Sequence, residues 1–250
     1  MQPQLQRPSA ALPVPPEVPY PTWLARFDRQ WKQGDHILDV GPTQSGKSLL
    51  ARELVLHGRK FVVVMGTKPK DKTLDEYIEA GFIRIDHWPP IPKDFRDQQP
   101  GMARFILWPK IKEIGDALKH RPLYKKCLDQ IYVDGNWTVV VDETLYFSDK
   151  AEGLGLGATL AMMAYGGASN GISMMFLMQR PAGVPRILWQ SCTSALLFHL
   201  GVTNDVREMA SLGTVPPKAV VQTIQHLEGH TFLDLPLRAG RSWSTSEVVL

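Results

Sequence analysis

The sequence predicts an α/β fold, a doubly wound and mostly parallel sheet with helices on both faces. Three observations carry this. Apolar runs recur that are too continuous for half-exposed strands, among them His36 to Val40, Lys60 to Met65 and Trp137 to Val141, as expected of strands covered on both sides. Segments of helical periodicity alternate with these runs, the signature of crossover connections. Between the first run and the first such helix lies a glycine-bearing loop, Gly41 to Ser48.

The elements follow in order. Residues 1–22 carry prolines at 8, 13, 15, 16, 19 and 21, which forbid the apolar helix of a signal peptide and predict a flexible arm. Trp23 to Trp31 has the pattern of a short amphipathic lead-in helix ending near Gly34. After the strand His36 to Val40 and its loop, Leu50, Ala51, Leu54 and Val55 share one helical face, and Gly58 suits the end of that helix. Lys60 to Met65 is a valine-rich strand. A polar helix is expected from Leu74 to Ala80, then strands at Phe82 to Ile85 and Arg104 to Trp108, then a helix from Lys110 to Ile131 broken at Pro122. Three further strands are predicted at Thr138 to Val141, Ile172 to Met178 and Ala195 to Leu200. The expected organisation is an arm over 1–22, a core over 23–213, and an extension over 214–250 packed on it.

Composition narrows the function. Cys127 and Cys192 lack the spacing of a zinc site or a disulfide framework, which points to a reducing, cytoplasmic setting. A formal charge of +3 is mildly basic, so any nucleic-acid contact must be local. The uncharged stretch Gly153 to Met178 is long enough to cross a bilayer. The turn cluster Gly166, Gly167, Ser169, Asn170 and Gly171 divides it into a helix and a strand, so no transmembrane segment is expected.

Gly41-Pro42-Thr43-Gln44-Ser45-Gly46-Lys47-Ser48 matches GxxxxGK[ST] between a strand and a helix, where the motif has its mechanism. Its glycines allow backbone N–H groups to converge on phosphates at a helix N-terminus. Lys47 would reach the β- and γ-phosphates of ATP, and Ser48 would ligate Mg²⁺. Asp142 and Glu143 close the run Trp137 to Val141. Asp142 suits the metal, and Glu143, where the chain leaves the sheet, suits polarisation of the attacking water. Gln179 directly follows the strand ending at Met178, on the rim where open α/β sheets bind ligands. Its amide could sense the γ-phosphate or the water.

The GPTxSGKS loop, the step Thr67-Lys68-Pro69, the pair Asp142-Glu143 and Gln179-Arg180-Pro181 with Val184-Pro185-Arg186 resemble, in that order, the FtsK/HerA superfamily of DNA-pumping motors. The likeness runs from about Gly34 through Gly213. It implies a P-loop NTPase sheet of RecA-like, ASCE type, with Gln179 as sensor. It also implies ATP hydrolysis at the interfaces of a homohexameric ring around double-stranded DNA. Within the superfamily the chain looks most like compact viral genome-packaging ATPases, since it lacks room for an N-terminal barrel, a membrane anchor or a C-terminal winged helix. That subgroup implies the host cytoplasm or the virion as its location, and a capsid or membrane-vertex protein as docking partner.

Two departures stand out. The family often has glycine where this chain has Gln44, a change expected to be tolerated if no positive φ is needed there. Relatives also commonly carry an arginine before the position of Gly171 that reaches the neighbouring nucleotide, whereas this chain has Gly166-Gly167-Ala168-Ser169-Asn170. Arg180, Arg186 and Arg207 are the candidate replacements, the first two favoured because they follow the sensor strand. Each could instead be a surface ion pair.

Other charges have plainer readings beside functional ones. The basic run Lys110 to Lys126 could line a DNA channel or be a solvated face. Lys68, Lys70 and Lys72, which follow the second strand, could lie near the nucleotide or a neighbouring subunit. His226 and His230 lack companions for a metal site. Two functions compete with the motor: an assembly or scaffold protein whose ATP only fixes the fold, and a small-molecule kinase, against which the lack of an arginine-rich lid segment counts.

Overall fold

The computed structural model describes residues 11–113 and 115–248 of the 250-residue chain. Its elements are α1 (Tyr20–Gln30), β1 (Ile37–Val40), α2 (Lys47–Gly58), β2 (Phe61–Met65), α3 (Lys72–Glu79), β3 (Ile83–Ile85), β4 (Ala103–Leu107), α4 (Asp116–Lys119), α5 (Arg121–Asp134), β5 (Thr138–Val141), α6 (Thr144–Ser148), α7 (Gly157–Gly166), β6 (Ser173–Met178), α8 (Arg186–Gln190), β7 (Ser194–Leu197), α9 (Thr203–Ala210), α10 (Pro217–Gln225), β8 (Thr231–Pro236) and β9 (Ser244–Glu247).

The strands form one sheet in the order β3-β4-β2-β5-β6-β1-β7-β8-β9. The first seven in that order are mutually parallel. β8 and β9 add antiparallel at one side. Alternate strand residues feed two cores. Leu38, Val40, Val139, Val141, Phe176 and Met178 pack with Tyr124, Leu128 and Ile131 of α5 and Leu160 and Met163 of α7. Ile37, Val62, Val64, Val140, Met175 and Leu177 pack on the other face with Trp23 and Phe27 of α1 and Leu50, Leu54 and Val55 of α2. Helices therefore cover both faces, and each central strand reads as a continuous apolar run because neither of its faces meets water.

The topology fixes where a ligand can go. From β1 the chain crosses through α2 to β2, and β6 and β5 later fill the gap between those two strands. The carboxyl ends of these strands therefore frame a crevice beside the N-terminus of α2, the usual ligand position in open α/β sheets.

Several expectations are corrected. The lead-in helix begins at Tyr20 instead of Trp23, because Pro21 lies in its first turn, where a missing N–H costs nothing. Residues 1–10 of the expected arm lie outside the described residues. The part next to the helix is held. Val18 N–H donates to the Thr245 carbonyl at 2.9 Å, and Thr245 N–H donates to the Pro16 carbonyl at 3.0 Å, so this segment lies along β9. The helix expected from Lys110 starts only at Asp116, and Pro122 lies in the first turn of α5 instead of breaking a longer helix. The strand expected to reach Leu200 ends at Leu197. Among the described residues no helix is long and apolar enough to cross a membrane; Gly153 to Met178 divides between α7 and β6, as its turn cluster predicts.

Candidate nucleotide site

The loop after β1 is shaped by contacts that only glycine permits. Gly41 N–H donates to the Met178 carbonyl at 3.2 Å, and a Cβ at Gly41 would lie 2.6 Å from that of Phe198. Gly46 takes φ 103 and leads directly into α2. Gln44 takes φ 65, so the condition under which replacing glycine here would carry no cost is not met. The loop must turn back on itself to gather its N–H groups, and it does so here with an L residue in the left-handed region, at a cost of about 1–2 kcal/mol.

Lys47, in the first turn of α2, is buried and its Nζ donates to the Pro42 carbonyl at 2.9 Å, spanning the loop. Burial pulls its ammonium below the usual lysine range, opposed by Asp39, Asp142 and Glu143. Opposite stand the residues that end β5 and β6. Glu143 is left-handed at φ 59 and turns the chain into α6, and its Oε2 accepts a 2.8 Å hydrogen bond from Gln179 Nε2. Burial raises the Asp142 carboxyl, with Lys68 the strongest opposing charge. Burial also works against the Lys68 ammonium, but Asp142 and Asp71 outweigh it and hold that group above its ordinary range. Lys68 Nζ lies 3.4 Å from Asp71 Oδ2.

These groups share one cavity of about 800 Å³, within the size of small-molecule sites. It is lined by Thr43, Gln44, Ser45, Gly46, Lys47 and Ser48 of the loop together with Asp142, Glu143 and Gln179. Gly41 and Pro42 lie behind that wall as its backbone support. Lining residues with no local motif to announce them are Arg52, Asp71, Glu76 and His230. Arg52 lies four positions after Ser48, so helical spacing puts both on the wall. Its guanidinium pairs with Glu76 of α3. His230 comes from far along the chain, and its Nδ1 donates to the Ser45 carbonyl at 3.1 Å.

Asp39 lies beneath the loop on β1, fully buried, and neither carboxylate oxygen has a hydrogen-bond partner. Burial raises its carboxyl well above the usual range, with Lys47 opposing. The signal in the sequence was a lone acid inside an apolar strand immediately before the loop. Ser45 Oγ and the Tyr77 hydroxyl are likewise buried without partners. Orphaned polar atoms of this kind are costly and call for a functional explanation.

The arginines proposed from sequence do not enter this cavity. Arg180 Nε donates to Asp205 Oδ2 at 2.7 Å and Arg186 Nη2 to Glu208 Oε1 at 2.6 Å, while Arg207 is exposed on α9. The structure thus gathers Lys47, Ser48, Asp142, Glu143 and Gln179 and leaves Arg180 and Arg186 in ion pairs within their own chain. In the basic run 110–126, Lys119 pairs with Glu113 and Asp116, and Lys125 with Asp129.

The donor set fits Mg²⁺. Among the described residues no cluster of three histidines, cysteines or acids could cage a metal. Ser48 and Asp142 both line the cavity, and two oxygen donors suit an ion that takes one or two protein ligands and completes its shell with phosphates and water.

No protein-family model matches the chain, and no curated protein matches it by sequence. Solved structures do match in fold. The DNA-packaging ATPase B204 from Sulfolobus turreted icosahedral virus shares 13% identity at TM-score 0.60, over 88% of this chain and 100% of that one. VirB4 of Thermoanaerobacter pseudethanolicus shares 12% at TM-score 0.61, over 86% of this chain and 89% of that one. The cytoplasmic domain of the Thermomonospora curvata type VII secretion ATPase EccC shares 16% at TM-score 0.57, over 88% of this chain and 26% of that one. A related packaging NTPase, B204 from Sulfolobus turreted icosahedral virus 2 in complex with AMPPCP, shares 13% at TM-score 0.57, over 86% of this chain and 98% of that one. In its mostly parallel sheet and the glycine loop after β1, this chain shares the α/β fold of these ATPases.

Proposed function

We propose that this chain hydrolyses ATP to move double-stranded DNA, as the subunit of a viral genome-packaging motor that assembles into a homohexameric ring. The observation that carries the reading is the hydrogen bond between Gln179 and Glu143 across the cavity from Lys47. A water-activating acid and a residue able to hold or release it stand opposite a phosphate-binding lysine. The viral packaging ATPase among the structural neighbours supports DNA as the cargo.

In this reading the loop N–H groups hold the phosphates, and Lys47 exchanges the Pro42 carbonyl for the β- and γ-phosphate oxygens. Ser48 and Asp142 would hold Mg²⁺, which would supply charge neutralisation for the phosphates. Glu143 takes a proton from water as its oxygen attacks the γ-phosphorus and the bond to the β–γ bridging oxygen breaks, giving ADP and phosphate. For this the Gln179 amide must let go of Glu143, so nucleotide sensing and base activation are one event. Arg180 or Arg186 would serve the neighbouring subunit's nucleotide after leaving Asp205 or Glu208.

Turnover should rise when double-stranded DNA is added to assembled protein, and Glu143→Gln should lower it by about 10² to 10⁴ while ATP binding persists. Unchanged turnover in Glu143→Gln would remove that residue from its role; indifference to DNA in proven rings would remove the motor. A second reading, an assembly factor in which ATP only fixes the fold, is favoured by the engagement of Arg180 and Arg186 within their own chain. It predicts bound but unhydrolysed ATP.

A further inference from the structure

The cavity has two flanks. β5 and β6 end at Glu143 and Gln179 on one side of β1, while β7 and then β8 lie on the other. β8 runs antiparallel to β7, with Leu233 opposite Leu197, so its first residues sit at the same sheet edge as the loop. His230 immediately precedes β8. Its carbonyl accepts Val248 N–H at 3.1 Å, which ties it to the last strand. Its half-buried ring stands against the loop, with Nδ1 3.3 Å from where a Cβ on Gly46 would be.

Because Nδ1 faces a carbonyl, it must carry the proton. In the neutral ring the other nitrogen, Nε2, is then an acceptor. Phosphate oxygens are also acceptors, so Nε2 of the neutral ring has nothing to offer them; ribose hydroxyls and the adenine amino group are donors. Hydrolysis requires the γ-phosphate to face Glu143, which leaves the nucleoside end of the molecule on the opposite flank.

We infer that His230 is a specificity residue for the nucleoside half of the bound nucleotide, delivered to the loop by the β8–β9 hairpin and held in register by the Ser45 carbonyl. The inference rests on the nucleotide reading given above and adds which part of the ligand the C-terminal strands recognise.

Calorimetric titration of the full chain with Mg²⁺ plus ATP, ADP or inorganic tripolyphosphate separates the possibilities. Losing one hydrogen bond and a ring contact, His230→Ala should weaken ATP and ADP by about tenfold and leave tripolyphosphate within about twofold. His230→Gln, which keeps both a donor and an acceptor, should recover part of the loss and serves as the test if the alanine variant folds poorly. Equal weakening of nucleotide and tripolyphosphate would make His230 a loop brace only, and no weakening of either would give it no role; both outcomes overturn the inference while the nucleotide reading stands. Failure of the wild-type chain to bind any of the three probes would overturn the nucleotide reading and this inference with it.

Discussion

Asp39 on β1 and Asp234 on β8 are both buried carboxylates of the same sheet, yet the fold treats them differently. Asp234 accepts a 2.9 Å hydrogen bond from Trp23 Nε1 and lies 3.8 Å from Arg26 Nη2. Asp39 has no partner for either oxygen. Burial raises both, Asp234 to about 6 and Asp39 well above the ordinary carboxylate range. The difference is where compensation comes from. At the β8 corner the protein supplies it, and the acid ties α1 to the sheet. Under the loop it is withheld, and the buried acid is left with the charge of Lys47, a residue of the cavity lining, to oppose its desolvation. Desolvation that is met locally is architecture; desolvation left unmet beside an open site is held for function.

The comparison can be broken most forcefully at the β8 corner. Trp23→Ala should destabilise the chain by about 3–5 kcal/mol, since it opens a cavity in the α1 face and removes the donor from Asp234. Denaturant titration measures it, and a cost below about 1 kcal/mol would mean that the corner is not structural.

The next effect concerns pH. The folded-state pKa of Asp234 lies above its ordinary value, so the folded chain binds this proton more tightly than the unfolded one. The acid therefore takes stability away as pH rises from about 4 to about 6, by about 3 kcal/mol in all. Asp234→Asn, which still accepts from Trp23, should lose this dependence, so the stability difference between variant and wild type should grow across that window. A constant difference would contradict the assignment.

Asp39→Asn should act in the opposite sense to a core substitution. Removing a poorly compensated buried acid should raise stability at neutral pH by about 1–2 kcal/mol and tighten ATP binding, because no negative charge beneath the loop then competes with the phosphates for Lys47. Lower stability with unchanged affinity would place Asp39 in the same class as Asp234. The smallest effect is expected from Gln44→Gly, which relieves a left-handed L residue at the expense of chain entropy and should stabilise by at most about 1 kcal/mol.

How much of this could be read in the sequence follows from how local each signal is. The loop, the acids after β5 and the glutamine after β6 each adjoin an apolar strand, so pattern alone puts them on one sheet edge, and they line one cavity. The β8–β9 hairpin has no such signal, because Thr231 to Pro236 is interrupted by Asp234 and ends in proline, and Ser244 to Glu247 is polar throughout. His230 reaches Ser45 only through that hairpin, across a separation no periodicity reports. The φ of Gln44 was hidden because nothing in its own chemistry demands a left-handed turn; the demand comes from the convergence of the whole loop. Pro122 misled because proline breaks a helix interior yet suits a first turn, and the choice depended on where α5 begins.

The segment pinned along β9 has a consequence for how copies of this chain can meet. Pro15, Pro16 and Pro19 carry no amide hydrogen, and the Val18 N–H is already spent on Thr245. A strand from another molecule that approached this flank would find a ledge nearly bare of donors, so the sheet cannot be lengthened there by recruitment. A contact with another molecule on that side would have to be made through side chains.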